Sequence, residues 1–127
     1  MRKEQQDFPA GTLRLNLEDR TGDGSGGPAI RVYGPTTDGQ AAKQLLRFDC
    51  FRDDAHYHFD PEGRDEVSSL QGPDAADSVA WSLRQLRENL PEMVRRAGGS
   101  EEAVQAAASQ ATRTAISEVA AALGRGS

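Results

Sequence analysis

Cysteine is almost missing from this chain of 127 residues: Cys50 is the only one, so no disulfide can close within it. Histidine is nearly as scarce, which confines any imidazole chemistry to His56 and His58. Positive charge is in deficit, with 15 Lys and Arg against 20 Asp and Glu and a net charge of -5. Affinity for nucleic acid comes from neutralising phosphates, so no nucleic-acid partner is expected. Aromatic residues make up only 6% of the chain, and no basic, aromatic-rich strand offers a surface on which bases could stack. No apolar run approaches the roughly 18 residues of a membrane span. No apolar segment follows Met1-Arg2-Lys3-Glu4-Gln5-Gln6, so neither membrane nor signal peptide is expected. A reducing, cytoplasmic setting follows from the lone cysteine.

What the chain does have is patterned. Its size fits one domain. Leu13, Leu15 and Leu17 alternate with Arg14, Asn16 and Glu18, the period of a half-buried strand. Further strands are expected over 29–33, with Ile30 and Val32 inward, and over 44–51 and 55–60; the first runs over 12–18. The glycine-rich stretch Asp19 to Pro28 and the strings Thr36 to Gly39 and Arg52-Asp53-Asp54 supply turns. Residues 1–10 are polar and read as a disordered tail. Beyond Gly72-Pro73-Asp74 the period changes: Val79, Leu83, Leu86, Leu90, Met93 and Ala97 recur at three- and four-residue steps, the stripe of an amphipathic helix. That helix is expected over 74–97, with Asp74 and Asp77 at its N-terminal end and a kink or break near Glu88 to Leu90 before Pro91. Arg84, Arg87, Arg95 and Arg96 read as its solvated face. Gly98-Gly99 ends it. An alanine-rich helix is expected over 100–123, about 35 Å long at roughly 1.5 Å per residue, and 124–127 is a short tail. The fold class is thus α+β: a four-stranded antiparallel meander, core domain 11–99, with one face covered by a helical C-terminal half of two to three helices.

The chemistry-bearing string is Phe48 to Asp60. Residues two apart on a strand share a face, so His56, His58 and Asp60 are expected together. If the hairpin pairs Cys50 with Tyr57 and Phe48 with Phe59, then Asp49 lies across from His58 and Arg47 across from Asp60, and Glu62 comes within reach. Two imidazoles among carboxylates suit zinc, iron or manganese; the plainer reading is a polar sheet face in which the histidines pair with the carboxylates. The string His56 to Glu62 is similar to the H-x-H-x3-E core of the cupin metal motif. The framing glycines are missing, no third histidine follows, and so few strands cannot close a double-stranded barrel. Cys50 faces the core in this register, a small buried hydrophobe rather than a nucleophile. Gly22, Gly24 and Gly27 satisfy G-x-G-x-x-G formally, but Pro28 and a strand follow where a dinucleotide site needs a helix.

Leu46-Arg47-Phe48-Asp49-Cys50-Phe51 with His56 to Pro61, then Trp81-Ser82-Leu83 and Leu90-Pro91, resembles a family of small bacterial proteins known as a domain of unknown function. The resemblance spans roughly residues 28 to 97, implies a bacterial origin and carries no activity. Two functional expectations stand. One is a non-catalytic interaction protein, a homo-oligomer or small accessory subunit of a larger bacterial enzyme assembly, using Trp81 and the small-residue stripe Val104, Ala108, Ala111, Ala115 and Val119. The other is a metal-dependent enzyme or metal-binding protein using His56 and His58 with Asp60, Asp49 or Glu62.

Overall fold

The computed structural model describes residues 4–19, 28–35, 42–50, 55–60, 63–69 and 77–125. Residues 20–27 of the glycine stretch, the turns at 36–39 and 52–54, Phe51, Glu62 and the segment Gly72 to Asp74 lie outside them. Six antiparallel strands, β1 (Glu4–Ala10), β2 (Leu13–Asp19), β3 (Pro28–Tyr33), β4 (Gln44–Asp49), β5 (His56–Phe59) and β6 (Glu66–Ser69), form one sheet in chain order. Three helices follow, α1 (Ser78–Arg96), α2 (Glu101–Ala107) and α3 (Gln110–Arg125).

The expected meander of four strands is therefore the middle of a six-stranded one. β1 falls in the stretch read as a tail. Its polar composition hides two inward positions, Phe8 and Ala10, both buried, and Pro9 is tolerated because β1 is an edge. Ala10 pairs with Leu13, so Gly11-Thr12 is a two-residue hairpin loop, with Gly11 at φ 65 supplying the positive torsion such loops demand. β6 falls in the stretch read as a connector. Its four residues carry one apolar side chain, Val67, which is 56% exposed.

Register lays apolar residues in rows across the sheet. Phe8, Leu15, Val32, Leu46 and Phe59 are successive cross-strand partners, as are Leu17, Ile30, Phe48 and Tyr57. On this face α1 packs against β4, and α3 against β1 and β2. Leu86, Leu90 and Val94 of α1 and Val119 of α3 are almost fully buried there. Trp81 fills the β4–β5 end, with its ring centroid 5.0 Å from that of Tyr57 and 6.4 Å from that of Phe48. Each large side chain so buried stabilises the fold by about 1.5–3 kcal/mol.

Helix ends follow local chemistry. Asp77 caps α1, accepting from the Ala80 amide at 3.1 Å. Of the expected kink or break at Pro91, there is no break, since the helix runs continuously through it; buried Leu90, Met93 and Val94 on either side hold it to the sheet. It ends with Gly98 at φ 85 and with Gly98 and Gly99 amides donating to Arg95 and Val94 carbonyls, a Schellman motif. The expected single C-terminal helix is two. Ser109 Oγ accepts from the Thr112 amide, starting α3, and donates to the Ala106 carbonyl at 2.6 Å. Buried Thr112 also donates to Ala106, at 2.7 Å. These hydroxyls take over backbone groups that a continuous helix would have used.

Burial also decides the small-residue stripe. Val104, Ala115 and Val119 are buried within the chain, as is Trp81, while Ala108 and Ala111 are exposed. Part of the stripe expected to meet a partner thus packs within the chain, while Ala108 and Ala111 remain at the surface. Arg84, Arg87, Arg95 and Arg96 are exposed, as expected of a solvated face. No helix among the described residues is long and apolar enough to cross a membrane.

Candidate metal centre on the polar sheet face

The sheet face turned away from the helices carries ionisable groups in register. Asp7, Asn16, Arg31, Arg47, His58 and Val67 form one cross-strand row, and Glu18, Ala29, Asp49, His56 and Ser69 the next. At the β1 side, Arg14 and Asn16 donate to Asp7 Oδ1 at 2.7 and 2.9 Å; the Asn16 amide, then the Arg14 guanidinium, hold the Asp7 carboxyl below its usual range. Arg31 donates to Glu18 at 2.8 Å.

The β4–β5 pairing differs from expectation by two residues. Asp49 lies opposite His56, Arg47 opposite His58 and Phe48 opposite Tyr57. A two-residue shift leaves every side chain on its expected face, because strand side chains repeat every second residue. It changes only the partners. Cys50 has left the β4–β5 ladder, its amide donating to the Pro28 carbonyl at 2.9 Å.

In this register Asp49 sits between the two imidazoles. Its Oδ2 is 3.0 Å from His56 Nε2 and 3.1 Å from His58 Nε2. The carboxylate side chain is 3% exposed and His58 is 8% exposed. Asp49 Oδ1 is buried with no hydrogen-bond partner among the described residues. The ring proton of His58 can be placed from its neighbours. Arg47 Nη2, which can only donate, is 2.9 Å from His58 Nε2. Nε2 is then the acceptor and Nδ1–H the donor, to Asp65 Oδ1 at 2.6 Å. Arg47 Nε also donates to Asp49 Oδ2, at 3.2 Å. The guanidinium fork thus bridges two lone pairs, on His58 Nε2 and Asp49 Oδ2, that converge from neighbouring strands.

Among the described residues, Asp49, His56 and His58 are those whose donor atoms gather, all within 4.8 Å of one another. Separations of 3.0 and 3.1 Å are hydrogen-bond distances, shorter than the roughly 3.4 Å between ligands on a tetrahedral ion with bonds of about 2.1 Å, so an ion would need these side chains to part slightly. Asp60 does not join them, although it was expected to. It lies at φ 52 in the turn between β5 and β6, where its carboxylate accepts from the Arg64 amide and meets Lys43 Nζ at 2.7 Å. Lys43 holds the Asp60 carboxyl below its usual range. A Cβ on Gly63 would collide with that carboxylate, which ties the turn to glycine. Glu62 lies outside the described residues.

Sequence reasoning did not find Asp65, and it gave Arg47 the wrong partner. Asp65 stands alone in a polar connector, with no period to mark it. On the opposite face, Cys50 is buried with Sγ 3.3 Å from Ser82 Oγ, and burial pushes its thiol up to about 11. It is a core group, as expected.

The family described as a domain of unknown function (DUF7700) matches residues 7–123. The chain belongs to this family. The match begins within β1, runs into the last turn of α3 and takes in every residue of the cluster; it extends well beyond the resemblance at roughly 28 to 97. No curated protein and no solved structure matches the chain.

Proposed function

We propose that this chain is a divalent-metal protein, holding one zinc, iron or manganese ion through Asp49, His56 and His58 on the polar face of the β4–β5 hairpin. The observation that supports this reading is the approach of one buried carboxylate oxygen to both Nε2 atoms, at 3.0 and 3.1 Å. Two imidazoles and a carboxylate on one side of an ion suit these metals, and they leave open positions opposite for water or substrate. Asp65 behind His58 Nδ1, at 2.6 Å, is the outer partner that histidine ligands ordinarily have. It directs the Nε2 lone pair into the site.

The interaction reading has less on its side. The stripe invoked for it is largely used inside the chain, with Val104, Ala115, Val119 and Trp81 all buried.

The test is elemental analysis of tag-free protein purified without chelator, together with calorimetric titration of cobalt(II) or zinc(II) into the stripped protein. One equivalent per chain is expected, lost in His56→Ala and His58→Ala. Absence of stoichiometric metal and a flat titration would overturn the proposal.

A further inference from the structure

Arg47 is a group that a three-ligand metal site does not itself require, yet it touches two of the three ligands. We infer that loading the site expels the Arg47 guanidinium, and that the ion's open positions then take a small oxyanion held jointly by the metal and Arg47. This rests on the metal reading above and adds the ligand class.

The first step is a competition for lone pairs. Arg47 Nη2 takes that of His58 Nε2 at 2.9 Å, and Nε one of Asp49 Oδ2 at 3.2 Å. A metal ion needs the same two. In the free protein the guanidinium is a built-in counter-cation beside His58 Nε2 and Asp49 Oδ2, which lie 3.1 Å apart.

The second step concerns where the guanidinium goes. Toward β3 its cross-strand partner is Arg31, and like charges directly opposite are unfavourable. Arg31 is itself engaged by Glu18 at 2.8 Å. Arg47 therefore stays beside Asp49, where Oδ1, which has no partner among the described residues, can receive it. Among the described residues, the loaded centre then holds a dication and the Arg47 cation against two carboxylates, Asp49 and Asp65. The surplus positive charge sits beside groups largely withdrawn from water, where its attraction for an anion is strongest. A guanidinium fork next to an open metal position fits a carboxylate, sulfate or phosphate group, one oxygen on the ion and another on the fork.

Cobalt(II) is titrated into tag-free protein in chloride and in sulfate at matched ionic strength, with wild type and Arg47→Met. In chloride, Arg47→Met should bind cobalt about tenfold more tightly than wild type, because the internal competitor is gone. Sulfate should raise wild-type affinity about tenfold and leave Arg47→Met unchanged. Equal or weaker cobalt binding by Arg47→Met, or a wild type indifferent to sulfate, overturns the inference while leaving the metal site standing. If folded wild type and folded Arg47→Met both fail to bind cobalt, the metal reading falls and this one with it. Should Arg47→Met not fold, Arg47→Gln, which keeps a donor and drops the charge, is read by the same criteria.

Discussion

Replacing Asp65 by asparagine separates the candidate centre from the stability of the sheet. Asp65 sits at φ 47, a torsion that asparagine also adopts readily, so the backbone should accept the change. Its side chain is 50% exposed, which places the pair with His58 among solvent-screened interactions contributing about 1 kcal/mol or less. Urea denaturation of the metal-free protein should therefore move little. Metal affinity should move more. The 2.6 Å contact to His58 Nδ1 sets the tautomer and makes Nε2 a better ligand, and outer partners of this kind are worth about 10- to 100-fold in affinity. Asparagine keeps an acceptor oxygen but loses the charge, so a loss of about tenfold, near 1.4 kcal/mol, is expected by calorimetry. Unchanged affinity in Asp65→Asn, alongside abolished binding in His58→Ala, would show that His58 acts without an orienting partner. A collapse in stability would refute the screening argument instead.

Three further outcomes test the fold. Gly99→Ala should destabilise by about 1–3 kcal/mol in urea melts, because the new Cβ would lie 2.5 Å from Val94 Cγ1 and 2.9 Å from the Val94 carbonyl, whose oxygen is fixed by the helix end. Cys50, with its thiol raised from 9.0 to about 11, should resist thiol reagents in native protein near neutral pH and react on unfolding. Because its folded pKa lies above the unfolded one, its contribution is fully present below about pH 9 and is lost by about pH 11. Linkage then predicts alkaline destabilisation on the order of 3 kcal/mol, absent in Cys50→Ala. The opposite sign holds for Asp60: its carboxyl is lowered, chiefly by Lys43, so the stability it adds is present above its ordinary value of 3.8 and fades as pH falls through its folded pKa. Lys43→Met should flatten that acid limb of a stability-versus-pH curve.

The strand faces were legible from the chain alone, because a period of two needs only local spacing. Leu13, Leu15 and Leu17 declare one face, and Phe48, Tyr57 and Phe59 the other half of the same apolar layer. The α1 stripe was legible for the same reason at a period near four. What spacing cannot carry is which residue lies opposite which. A shift of two residues leaves every face intact, so Asp49 could be put on the histidines' side of the sheet but not between them. Edge strands were lost because an edge need not be apolar: β1 shows only Phe8 and Ala10, β6 only an exposed Val67.

The division of the C-terminal helix and the fate of its alanines were tertiary decisions. Ser109 and Thr112 are ordinary helix residues until Thr112 is buried against β1, where its hydroxyl lies 3.4 Å from the Ala10 carbonyl. The stripe reads equally well as a face for a partner or for the chain's own sheet, since small residues permit close approach to either. The candidate centre divides along the same line. Its residue types, two imidazoles and nearby carboxylates, are written in the order of amino acids. The joint approach of Asp49, Arg47 and Asp65 to one imidazole needed three segments of backbone brought side by side, and only hydrogen bonding between strands does that.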